Sequence, residues 1–143
     1  MGQKTKIYSA FPGCGKSYAY NKLKLFSDSI VLDSDSSTFD KKYFPDNYIN
    51  HIKENINKVS IIFVSSHDVV RNSLVDNEID FTLVYPDRTL KEEYIKRYKK
   101  RGNNENFVKL LEENWDIWLT QLENQKNCKH KVLQSGEYIS DII

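Results

Sequence analysis

The 143-residue chain has room for one hydrophobic core, and its 29% charged, 39% hydrophobic and 13% aromatic make-up excludes a disordered polypeptide. Basic and acidic side chains nearly cancel at +1, which excludes a global field for non-specific nucleic-acid or membrane binding, so any polyanion site has to be local. No run approaches the roughly 20 apolar residues of a membrane span, and two distant cysteines, Cys14 and Cys128, behind a start without a secretory leader point to a reducing, cytoplasmic setting.

The first predicted element is a short apolar strand over Lys6 to Ser9. It runs into Ala10-Phe-Pro-Gly-Cys-Gly-Lys16-Ser17, after which helical spacing covers Ser17 to Phe26. This is the P-loop pattern with Ala10 in place of its first glycine, in the strand, loop and helix setting that the pattern needs. Gly13 and Gly15 let successive amide N–H groups turn inward, and the helix N-terminus adds partial positive charge. Pro12, Gly13, Cys14, Gly15, Lys16, Ser17 and Tyr18 then surround the phosphates of ATP, with Lys16 reaching the β- and γ-phosphates and Ser17 ligating Mg²⁺. Cys14 is either a low-pKa thiol at a helix N-terminus or, the plainer reading, a loop residue that contributes its amide.

A second strand is expected over Ser29 to Leu32, followed by Asp33-Ser-Asp35. Carboxylates at i and i+2 point the same way as a strand runs out, toward the edge where open α/β sheets bind ligands. One can serve Mg²⁺ while the other takes the proton of an attacking hydroxyl; the bland alternative is a polar turn with a helix cap. Helical spacing resumes over Asp46 to Asn57, and Val59 to Val64 reads as a strand buried on both faces. Arg71, in a helix over Asp68 to Val75, is a candidate for an acceptor's anionic group, and His67 before it is left out of the chemistry.

A fourth strand over Phe81 to Tyr85 precedes a helix over Thr89 to Arg101, in which four of the five residues from Arg97 to Arg101 are basic. Arg97 and Arg101 share a helix face and are candidates for cations that close over a transferring phosphoryl group, in a short lid around residues 88–104. The alternative is a solvated face paired with Glu92 and Glu93. Gly102-Asn103-Asn104 is a turn, and the long helix after it, Glu105 to Asn124, carries Phe107, Leu110, Leu111, Trp115, Trp118, Leu119 and Leu122 on one core-facing stripe. Lys131 to Leu133 is the last strand. Strands alternating with helices predict an α/β domain with a five-stranded parallel sheet and helices on both faces.

A GTPase would need an Asn-Lys-x-Asp motif, which the sequence lacks, and a motor ATPase would place an acidic residue where the third strand ends in Val64-Ser65-Ser66-His67. The remaining set, Ala10 to Ser17, Asp33-Ser-Asp35 and Arg97-Tyr-Lys-Lys-Arg101-Gly, resembles the P-loop small-molecule kinases: nucleoside and nucleotide kinases, shikimate and gluconate kinases, and phage polynucleotide kinase. The resemblance implies the strand order 2-3-1-4-5 of a three-layer P-loop NTPase fold, ATP and Mg²⁺ as cofactors and a metal-serving Asp33. It further implies Asp35 as general base or acceptor contact, lid arginines at Arg97 and Arg101, and adenine near Gly136-Glu137. The stretch between Asp35 and the third strand is short for the acceptor-binding insertion of nucleoside monophosphate kinases. The expected function is transfer of the γ-phosphoryl group of ATP to a nucleoside or nucleotide. The alternatives are a polynucleotide 5′-hydroxyl kinase, disfavoured by the near-neutral charge, and a non-catalytic ATP-binding protein.

Overall fold

The computed structural model describes residues 5–26, 31–33 and 41–142. Strands β1 (Lys6–Ala10), β2 (Val31–Asp33), β3 (Ile61–Ser65), β4 (Thr82–Pro86) and β5 (Lys129–Leu133) alternate with helices. These are α1 (Lys16–Phe26), α2 (Asp46–Asn55), α3 (Asp68–Asp76), α4 (Lys91–Lys100) and α5 (Glu105–Glu123), with short 3₁₀ turns at Arg88–Leu90 and Ile139–Asp141. All four strand pairings are parallel and the order is β2-β3-β1-β4-β5. The α/β class, the all-parallel sheet and its order are those that the sequence predicts.

Parallel strands need long crossovers, and these are right-handed. The chain steps one way across the sheet from β1 to β2 and the other way in every later crossover, which places α1 on the face opposite the remaining helices. The packing agrees: α1 meets the Ile139–Asp141 turn, α2 meets α3, and α4 meets α5. The interior strand β3 is buried on both faces, with Ile62, Phe63 and Val64 sealed from solvent. Its unbroken apolar run is what made it legible.

The long helix α5 departs from its expected stripe. Leu111, Trp115, Leu119 and Leu122 are in the core as expected, but Val108 joins them, Phe107 and Leu110 are 37% and 49% exposed, and Trp118 is half-buried. The buried set follows i, i+3, i+4 spacing from Val108, so the inward face is rotated toward Val108 and away from Leu110. Asn104 caps the helix, accepting from the Phe107 amide at 2.8 Å. Trp115 sits edge-on to Phe11 at 5.7 Å and donates its indole N–H to the Arg88 carbonyl at 3.0 Å. Arg88 in turn pairs with Asp116 and Glu123 of α5, so the segment expected to act as a lid is fastened to its neighbour at its root.

Candidate functional site: a glycine-built loop at the floor of a cleft

β1 keeps its pairing one residue past the strand, through a bond from the Phe11 amide to the Val84 carbonyl at 2.9 Å. The chain then turns away from the sheet. Gly13 and Gly15 take φ of +90° and +86°, in the left-handed region that L side chains avoid. The first helical bond of α1 runs from the Ala19 amide to the Gly15 carbonyl at 2.9 Å. Ahead of it, among the described residues, the Gly13 and Gly15 amides have no intramolecular acceptor. Amides of this kind at a helix N-terminus form an anion-binding concavity.

Three tyrosines and one arginine hold the loop from behind. Tyr98, buried in α4, donates its hydroxyl to the Pro12 carbonyl at 2.7 Å, and a Cβ added to Gly13 would lie 2.8 Å from its ring. Tyr138 covers Gly15 in the same way, at 2.8 Å. The Arg97 guanidinium is stacked between the rings of Tyr94 and Tyr138, 4.3 and 4.1 Å from their centroids. It donates to the Gly13 carbonyl at 2.8 Å and the Glu137 carbonyl at 3.2 Å, and pairs with Glu93 at 3.1 Å. The Ile139 amide donates to the Cys14 carbonyl at 2.8 Å. Carbonyls pointing back at these donors are what leave the opposite, amide-bearing side of the loop facing outward.

Arg97 was expected as a mobile cation over the phosphates. The structure instead places it as a brace: its side chain is only 10% exposed and its donors are committed to backbone and to Glu93. The Glu93 pairing follows the helical spacing foreseen in the alternative reading. Arg101 and Lys100, by contrast, are exposed at the end of α4 and line the cleft, with no ion-pair partner among the described residues. The Cys14 thiol is 1% exposed, and burial pushes its pKa up to about 12. It packs as a neutral group 3.9 Å from the Val84 carbonyl and the Tyr94 hydroxyl, which favours the plain loop-residue reading over a low-pKa thiol.

The loop from Ala10 to Tyr18 floors a cleft of about 1070 Å³. Lys16 opens α1 at the loop's end, and the Ser17 and Tyr18 side chains are exposed beside it. One wall is the end of β3 with the residues after it, Ser65 to Asp68, and Arg71; the other is Arg101, Phe107 and Trp118. The Ser65 hydroxyl is a buried polar atom without a partner among the described residues. Asp33 closes β2 at the same sheet edge, opposite Phe63; its side chain, and Asp35 as a whole, lie outside the described residues. Gly136 and Glu137, expected near adenine, are tied to α4: the Gly136 amide donates to Glu93 at 3.2 Å and the Glu137 carbonyl accepts from Arg97.

The tyrosines behind the loop were not singled out in the sequence, and Phe107, Trp118 and Ser65 were named there as core stripe and strand end, not as lining of a cleft. An aromatic run at helical spacing, Tyr94 and Tyr98, carried a signal for a buried α4 face. Nothing local marked Tyr138. No group of three or more metal-binding side chains occurs among the described residues, and no helix there is long and apolar enough to cross a membrane. No family model and no curated protein matches the chain.

Proposed function

We propose that this protein is a P-loop phosphotransferase that moves the γ-phosphoryl group of ATP to a nucleoside or nucleotide. The observation that carries the reading is the loop itself: two left-handed glycines with unengaged amides at the start of α1, flooring a cleft edged by Lys100 and Arg101. A triphosphate in the concavity accepts from those amides, and Lys16 reaches its outer phosphates. Arg101 and Lys100 lie where they can neutralise the charge that spreads over the moving group.

The oxygen donors on offer, the Ser17 hydroxyl beside the loop and Asp33 at the end of β2, suit Mg²⁺, which keeps several waters and shares substrate phosphates rather than filling a protein cage. A Mg²⁺ ion held by these donors would supply positive charge against the phosphates. Asp35 orients the acceptor, and removes its proton where the acceptor is a hydroxyl. The proposal is tested by ADP release with nucleosides, nucleoside monophosphates and short oligonucleotides as acceptors. Asp35→Asn should leave ATP binding intact and lower turnover by ~10²-fold or more. Unchanged turnover removes Asp35 from the mechanism, transfer to oligonucleotides alone selects the polynucleotide kinase reading, and ATP binding with no transfer to any acceptor selects the non-catalytic one.

A further inference from the structure

Arg71 is the least expected charge in the molecule. It begins the second turn of α3, is 5% exposed, and lines the cleft. Its Nε donates to the Ser66 carbonyl at 2.8 Å and its Nη1 to the Gln125 side-chain oxygen at 2.6 Å, both neutral acceptors. Among the described residues no carboxylate comes within ion-pair distance, and Nη2 has no acceptor. Burial works against the charged form of Arg71, and the more distant Asp68 offsets this only in part. A charge taken from water without a counter-ion is costly to a fold, and its two neutral tethers aim the guanidinium without discharging it. What the geometry of the described residues lacks is an anion.

The rest of that end of the cleft is of a different character. Trp118 and Gln121 belong to α5, on the helix face that leads to Gln125, and both line the cleft. A half-buried indole is a stacking platform for a planar ring, and an exposed side-chain amide beside it can donate to and accept from a heterocycle's edge. Gln125, which holds Arg71, follows the C-cap Asn124 just past the end of α5, so the guanidinium is anchored to the end of the helix that carries the indole, and both line one cleft.

We infer that the groove between α3 and α5 is the acceptor subsite and takes a nucleoside monophosphate, with the phosphate on Arg71 and the base on Trp118 beside Gln121. The inference rests on the phosphotransferase reading for calling the ligand an acceptor, but the binding itself is measurable without turnover. The chain has two tryptophans, and Trp115 is fully buried, so a stacking ligand acts on the emission of Trp118.

The experiment titrates the protein with nucleoside 5′-monophosphates, the matching nucleosides and ribose 5-phosphate, with the loop filled by a non-hydrolysable ATP analogue and Mg²⁺, and repeats it without them. A monophosphate should quench fluorescence and bind at least ~10-fold more tightly than its nucleoside, the scale of one charge-assisted contact. Trp118→Phe should remove the quench, and Arg71→Met should bring monophosphate affinity down to that of the nucleoside while leaving Tm no lower than wild type. Equal affinity for nucleoside and monophosphate overturns the inference, as does equal affinity for ribose 5-phosphate, a quench that survives Trp118→Phe, or complete displacement by the ATP analogue. Should Arg71→Met fail to fold, the ligand comparison and Trp118→Phe still decide. Monophosphate binding without phosphoryl transfer leaves the subsite standing and removes the enzyme; transfer to nucleosides alone does the reverse.

Discussion

Among the described residues four glycines adopt positive φ, and they do not carry equal weight. A methyl group on Gly13 would meet the ring of Tyr98 at 2.8 Å, and that ring is pinned by its own bond to the Pro12 carbonyl. At Gly102, φ is +80° but nothing lies within 4 Å. Gly13→Ala combines backbone strain with an unrelievable contact and should cost about 2–4 kcal/mol together with ATP binding, whereas Gly102→Ala should cost about 1 kcal/mol and leave binding alone. Chemical denaturation and nucleotide titration of the two variants check this. The Cys14 thiol offers a second residue-scale test. With its pKa pushed up to about 12 and 1% exposure, it should resist alkylation at pH 8 until the protein unfolds, while half-buried Cys128 reacts in the native state. Labelling followed by peptide mass analysis separates the two sites.

At the scale of elements, α4 and the segment after β5 are joined through Glu93. Its carboxylate accepts from the Ser135 hydroxyl, the Gly136 amide and Arg97. The bond from Ser135, with help from the Gly136 amide and Arg97, holds its pKa below the ordinary 4.5. A depressed carboxylate contributes stability that is present above its unfolded value and lost as pH falls through the lower folded value. Glu93→Gln should therefore melt below wild type at pH 7, and the gap should close as both are taken below about pH 4. A gap that persists unchanged into acid would show that the carboxylate charge is not what joins the two elements. These joints also explain which elements could be read in advance. β3, α5 and the β1-loop-α1 unit announce themselves through local apolar runs, helical period and glycine spacing. The bracing role of Arg97 depends on Tyr138 and Glu137, far away in the chain, so a basic run on α4 read equally well as a lid or a solvated face. The rotation of α5 that exposes Leu110 is set by where Trp115 finds Phe11 and the Arg88 carbonyl, a tertiary fact with no trace in the stripe itself.

For the molecule as a whole, ligand binding and folding are one equilibrium, since the concavity exists only when the loop is held. Mg²⁺ and ATP at about 100 times their dissociation constant should add roughly 2.7 kcal/mol and raise Tm by roughly 5–10 °C. Lys16→Ala should flatten that dependence, as thermal melts against ATP concentration will report. The parallel sheet was legible from strand–helix alternation, and its order from the resemblance of the loop and its flanking elements to P-loop kinases. The acceptor side was less so. Arg71 could be named as a candidate for an anion, but its lack of a counter-ion is a property of the packed interior, not of any window of sequence.

The bond from the Ile139 amide to the Cys14 carbonyl, with Tyr138 laid over Gly15, also sets an order of events in time. Synthesis proceeds from the N-terminus, so β1, the loop and the start of α1 emerge well before the residues that clamp them. Contacts so distant in the chain close late in folding. A growing polypeptide would thus carry the glycine loop without the grip that shapes it until Ile139 has been added, and the phosphate affinity proposed for the loop would arise only then.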